Sequence, residues 1–212
     1  MVPGLTWGEA YDAFNNTGIG FTGGICEDVS VGGVSLGGGQ SLFVAERGWA
    51  VDNIINYEIV LGTGEIVNAN QTNNPDLFKA LKGGNTDFGI VTRVDLVTFP
   101  FDGLWGGEVL IDLNGPQANR SVTLDKIVQA TVDYTSCNNI VTDTAVQIET
   151  YYQRDNGGQF LLAAVANTKG IENTTNLEGY LNLPNQAKND VGHVALADFV
   201  HSVSAFQTEG YR

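Results

Sequence analysis

The sequence predicts an α+β chain in two parts, and three observations carry that expectation. Glycine crowds residues 17–41; capped helices and a hairpin punctuate the remainder of the first hundred residues; past Pro100 glycine thins out and longer periodic segments begin. With 212 residues the chain can bury a real core. The change of character sets the expected boundary, with one domain at 1–100 and a second at 101–212.

Thr6-Trp7-Gly8-Glu9 reads as a capping box, in which the Thr hydroxyl and the Glu carboxylate each satisfy a free amide, so a short helix should run to about Asn15. Ile54 to Leu61, the Gly62-Thr63-Gly64 turn and Glu65 to Asn68 read as a β-hairpin. Asn74-Pro75-Asp76 supplies an N-cap, a proline at the first helical position and an early acid for a helix through Leu81, ended by Gly83-Gly84. Gly89 to Phe99 alternates as a half-buried strand closed by Pro100. In the second part Gly107 to Leu113 reads as a strand. Leu124, Ile127, Val128 and Thr131 mark one face of a helix ending near Cys137. Strands Ala145–Gln153 and Gln159–Ala166 flank the Asp155-Asn156-Gly157-Gly158 turn, and Leu196 to Val200 suggests a helical turn.

Ten basic against twenty-four acidic residues give a net charge of −14, which repels phosphate backbones and anionic membrane surfaces. Neither nucleic acid nor a membrane is an expected partner, and no apolar stretch is long enough to cross a bilayer. Cys26 and Cys137 cannot build a disulfide framework and fit no zinc spacing; one pair or two free thiols both satisfy the sequence. Sequons at Asn15, Asn70, Asn119 and Asn173 point to a secreted, extracellular glycoprotein, whose signal would lie upstream of Met1.

Gly18-Ile19-Gly20-Phe21-Thr22-Gly23 matches the letters of the dinucleotide fingerprint, but a helix precedes it and more glycine follows, so a loop with tight turns is expected. Gly37-Gly38-Gly39-Gln40-Ser41 lacks the Lys-Ser/Thr of a P-loop. The wider window Gly23 to Ser41 is more informative. Glycines this dense let successive amides lie against a pyrophosphate or a flat ring, while Val29, Val31, Val34 and Leu36 between them argue for a packed segment. His193 and His201 are expected to be structural or exposed, and no metal site is expected. Tyr151 and Tyr152 fall on one strand and so point to opposite faces, with burial in a sheet the expected fate of either. No nucleophile and no carboxylate pair stands out, so no catalytic residue is assigned.

The Gly23–Ser41 window resembles the second half of the FAD-binding domain of the vanillyl-alcohol oxidase superfamily, the PCMH-type domain, most closely in its berberine-bridge-enzyme-like and fungal FAD-linked oxidase branch. Val2-Pro3-Gly4-Leu5-Thr6-Trp7 looks like that family's helix start. Gly48 to Ile54 and Glu58 to Val67 look like its Asp-Asn strand and hairpin. Asn74-Pro75-Asp76-Leu77-Phe78 through Gly83-Gly84-Asn85 to Gly89-Ile90-Val91-Thr92 looks like its most specific signature.

The resemblance implies the carboxyl-terminal part of a PCMH-type FAD-binding domain followed by the start of an antiparallel-sheet substrate domain. It implies FAD as cofactor, with Gly32, Gly33, Gly37, Gly38 and Gly39 lining it and Ile90 and Val91 meeting it through backbone groups. Cys26 stands where bicovalent members bond the flavin ring; a small buried thiol is the alternative there. The implied activity is an oxidoreductase of oxidase type, oxidising an alcohol, sugar or other small molecule and passing electrons to oxygen. Family members also carry a preceding subdomain and, later in the chain, the usual base, so the sequence reads as a fragment. The alternatives are a catalytically inactive fragment or secreted non-enzymatic relative of the fold, and dehydrogenase chemistry in place of oxidase.

Overall fold

The computed structural model describes residues 1–114, 120–137, 141–153 and 157–205. The Asn119 sequon, the Asp155-Asn156 half of the expected turn and the Cys137 side chain lie outside the described residues. The chain divides into two units, Met1–Asp102 with Ala195–Arg212, and Gly103–Val194.

The first unit begins with helix α1 (Trp7–Phe14), and its capping box is formed: the Glu9 amide donates to Thr6 Oγ1 at 3.2 Å and the Thr6 amide to Glu9 Oε2 at 2.9 Å. Strand β1 (Ile19–Phe21) follows, paired with the later β5 (Thr98–Pro100). Helix α2 (Val31–Gly37) starts at Ser30, whose hydroxyl accepts from the Gly33 amide; α3 (Val44–Arg47) and a 3-10 turn at Ala50–Asn53 lead into β2 (Ile54–Val60). The hairpin partner is β3 (Ile66–Asn70), then come α4 (Pro75–Leu81) and β4 (Ile90–Leu96), and the sheet runs β3-β2-β4, antiparallel throughout.

Two apolar clusters hold this unit. One gathers Trp7, Ala10, Tyr11, Phe21 and Val31 with Ala197 and Val200; the other packs Leu36, Ile54, Tyr57, Ile59, Phe78, Leu81, Val91 and Val94. Helix α2 feeds both, since Val31 enters the first and Leu36 the second.

In the second unit β6 (Leu104–Asp112) is followed by α5 (Arg120–Cys137), β7 (Thr144–Gln153), β8 (Gly158–Asn167), α6 (Glu178–Leu181), β9 (Gln186–Asn189) and β10 (Gly192–Val194). The sheet order is β10-β6-β8-β7, with β9 also on β6, and every pairing is antiparallel. Its core joins Trp105, Val109 and Ile111 to Leu161, Ala163 and Val165, and to Ile127, Leu177 and Tyr180.

Four expectations change. The segment from Ala195 does not stay with the second part: helix α7 (Leu196–Ser204) turns Ala197 and Val200 into the Trp7 cluster, so it belongs to the first unit. The packed segment expected at Gly32 to Gly37 is a helix, because the Ser30 cap and the inward-facing Val31 and Leu36 outweigh the helix cost of glycine, about 1 kcal/mol each. The Asp52-Asn53 pair lies in the 3-10 turn, not a strand, since Asp52 accepts the Trp49 amide. Asn74 is left-handed and gives its side-chain amide to the Asn68 carbonyl, not to the helix start. On α5 the buried face is Thr123, Ile127, Ala130, while Leu124 and Val128 are exposed.

Candidate flavin site

Cys26 sits in the loop between β1 and α2, half-buried and free of any disulfide. Just before it, Gly23 and Gly24 lie on the Trp7 indole; a side chain at Gly23 would come within 2.2 Å of that ring, and one at Gly24 within 3.1 Å of Val34 on α2. The Cys26 loop and α2 are thus locked together by Trp7.

Helix α2 presents a bare backbone face. Gly33 and Gly37, four residues apart and therefore on one side of the helix, are exposed, while Val31, Ser35 and Leu36 are buried on the other. A methyl at Gly37 would meet nothing within 4 Å, and one at Gly33 only the Ser30 hydroxyl. The chain's own packing gives no reason for glycine at 37. A surface without side chains is what close backbone approach by a flat or phosphorylated group requires, so the residues present fit a dinucleotide-type cofactor.

The helix is fixed from behind. Tyr57, buried on β2, donates its hydroxyl to the Ser35 carbonyl at 2.7 Å, and burial pushes that phenol well above its usual range. The Asn85 amide donates to Leu36 O at 3.2 Å. After the helix, Gly38 and Gly39 take φ of +112° and +75°, and their carbonyls accept from the Val51 and Ala50 amides of the 3-10 turn. Asn53 holds the preceding turn by donating to the Arg47 and Trp49 carbonyls at 2.8 and 3.0 Å. Lys82 lies over the Phe78 ring; burial lowers its pKa and the Asp52 carboxylate opposes that.

The structure therefore brings Cys26, Gly32, Gly33, Gly37, Gly38 and Gly39 onto one continuous segment, with Val91 behind it in the Leu36 cluster. Ile90 is separate in character: its side chain is 72% exposed at the start of β4, the outer strand of its sheet. Sequence reasoning did not single out Tyr57 or Asn53; the tyrosine falls on the buried face of an alternating strand, and its hydroxyl's role depends on a contact 22 residues away.

The remaining candidates lie elsewhere. His193 pairs with Glu172 on the surface of the second unit, and His201 contacts Asp12 and Glu27 in the first. Tyr151 is half-buried and donates to Glu149, whereas Tyr152 is exposed, contrary to the burial expected for it, because its side of β7 faces solvent. The stretch Gly18–Gly23 holds β1 and then loop, with no helix between β1 and Val31. Among the described residues no group of three His, Cys, Asp or Glu side chains could hold a metal ion, and no helix is long and apolar enough to cross a membrane.

Residues 1–70 match the family described as FAD binding domain. An uncharacterized FAD-linked oxidoreductase of Arthroderma benhamiae is 40% identical over 133 residues, which is 62% of this chain and 26% of that protein. The carbohydrate oxidase of Microdochium nivale superposes over 97% of this chain and 42% of its own, with a TM-score of 0.72 and 25% identity. The 6-hydroxy-D-nicotine oxidase of Arthrobacter nicotinovorans covers the whole chain and 45% of its own, at a TM-score of 0.80 but 17% identity, a likeness of fold. Residues 1–70 carry FAD binding domain sequence, and the chain has, along its length, the fold of these oxidases. It spans about a quarter of the length of that curated relative.

Proposed function

We propose that this chain is the flavin-facing portion of a longer, secreted FAD-linked oxidase that acts on an alcohol, sugar or similar small molecule and passes electrons to oxygen. The observation that carries the reading is the bare Gly33/Gly37 face of α2 within a segment that matches the FAD binding domain. Oxidase chemistry draws support from the carbohydrate oxidase likeness, and secretion from the four sequons.

Gly32, Gly33, Gly37, Gly38 and Gly39 would hold FAD against the backbone, Ile90 and Val91 would meet it through main-chain groups, and Cys26 would supply a thiol for attachment. When bound, FAD supplies a hydride acceptor. The chain's own contribution is placement: Tyr57 and Asn53 fix the glycine wall, and Trp7 fixes the Cys26 loop against it.

Two substitutions separate the roles. Gly37→Ala puts a methyl into open space and improves helix propensity, so the fold should keep its melting temperature while flavin retention falls. Unchanged flavin content in that variant would sink the assignment of the α2 face. Cys26→Ser should abolish flavin absorbance that survives acid precipitation and leave folding intact; acid-stable flavin in the serine variant would show that the attachment lies elsewhere. Oxygen consumption by the longer protein decides between oxidase and dehydrogenase chemistry.

A further inference from the structure

His201 occupies an unusual position. It lies on α7, and each of its ring nitrogens meets a carboxylate: Nε2 is 2.9 Å from Asp12 Oδ1 on α1, and Nδ1 contacts Glu27 Oε2 in the loop just past Cys26. A neutral imidazole has one donor and one acceptor, so it would turn a lone pair toward one of those carboxylates; only the imidazolium donates from both nitrogens. Glu27 is held at two further points. Its amide donates to Ser204 Oγ on α7 at 2.9 Å, and its carbonyl accepts from the Gly8 amide of α1 at 3.0 Å. Gly8 admits this approach: a methyl there would lie 3.0 Å from Glu27 Cβ and 3.4 Å from His201 Cε1.

We propose that His201 is the pin of a pH-dependent latch: as an imidazolium it ties α7 to α1 and to the Cys26–Glu27 loop, and on losing its proton it loosens that loop. The latch stands independently of any flavin. Asp12 from α1 and Glu27 from the loop are the ionisable groups against the ring. Glu9 on α1 turns back to the Thr6 amide, Asp198 lies three residues earlier on α7 itself, and neither Asp12 nor Glu27 pairs with a lysine or arginine among the described residues.

The bonds from Asp12 and then Glu27 raise the imidazole above its ordinary 6.5, against a smaller opposing effect of burial. A folded-state value above the unfolded one contributes stability that is complete below pH 6.5 and is lost as pH rises through the folded value. The latch therefore closes on acidification and opens on the alkaline side.

Hydrogen exchange of residues 23–30 in the 212-residue chain, corrected for the intrinsic pH dependence of exchange, is the test. At pH 9 the wild type should exchange several-fold faster than at pH 6. H201Q should be fast at both values and show no step. Equal protection of the wild type at both pH values, or a superimposable H201Q profile, overturns the latch. Should H201Q fail to fold, the ring protons of His201 in the wild type and in E27Q give a second readout. A midpoint above 6.5 that falls in E27Q supports the latch, and one at or below 6.5 in the wild type overturns it.

Discussion

Lys188→Met should destabilise the second unit by about 3 kcal/mol, near the lower end of what is lost when a buried ion pair is broken from one side. Glu108 on β6 is completely buried, and its Oε2 accepts from Lys188 Nζ at 2.8 Å, while Oε1 has no hydrogen-bond partner among the described residues. Lys188 also reaches Asp190, whose Oδ1 accepts the Glu108 amide at 2.8 Å, so one lysine serves both carboxylates. The lysine is partly exposed, which screens the pair and holds the expectation at the low end of the range. Burial alone would lower the ammonium, but bonds to Asp190 and Glu108 outweigh it and hold the pKa above its ordinary 10.5. That raised value means the contribution is complete below pH 10.5 and lost above it, so urea unfolding at pH 7 measures all of it. The double variant Glu108→Met with Lys188→Met should recover most of the loss. A loss under about 1 kcal/mol in the single variant, or a double variant as unstable as the single, would show that the pair is not what holds this edge of the sheet.

Gly39→Ala should be similarly damaging in the first unit, at roughly 3 kcal/mol. The residue has φ of +75°, and a methyl there would stand 2.3 Å from Val34 Cγ1 and 2.9 Å from Ala50 Cβ. Left-handed backbone and overpacking thus act at one atom, two residues beyond Gly37, where the same methyl meets nothing. Fluorescence of the fully buried Trp7, which shares a cluster with Val34, reports the unfolding. A Gly39→Ala variant as stable as Gly37→Ala would mean that the segment can shift to admit the methyl, and the glycine wall would then be less rigid than its contacts indicate.

The legible parts of the sequence were those whose signals are local. The Thr6 capping box, the hairpin between Ile54 and Asn70 and the Pro75 helix start each depend on residues within a turn or two. The order of glycine-rich and Asn-Pro-Asp motifs carried the flavin-binding resemblance, and the match of residues 1–70 agrees with it. What escaped depends on partners far along the chain. Helix α2 was hidden by its glycines, because besides the Ser30 cap it is held by a distant partner, Tyr57 behind Ser35. Helix α7 was visible only as an apolar turn, since nothing near Leu196 says that its partner is Trp7. The buried face of α5 was misread because Val128 and Leu124 are apolar yet exposed, while Thr123 is buried and bonded by the Asn185 amide.

The first unit is written in two pieces, ending at Asp102 and resuming at Ala195, with the second unit between them in the sequence. A ribosome adding about 5–20 residues per second leaves α1 and the Cys26 loop without α7 for roughly 10–35 s. During that interval Trp7, Ala10 and Tyr11 lack Ala197 and Val200, which later complete their cluster. Closing a contact such as Asp12 to His201, 189 residues apart, costs chain entropy that grows with the logarithm of the free loop. If the intervening β-sheet folds first, it shortens that loop, so the nascent chain has a kinetic incentive to complete its middle before its ends.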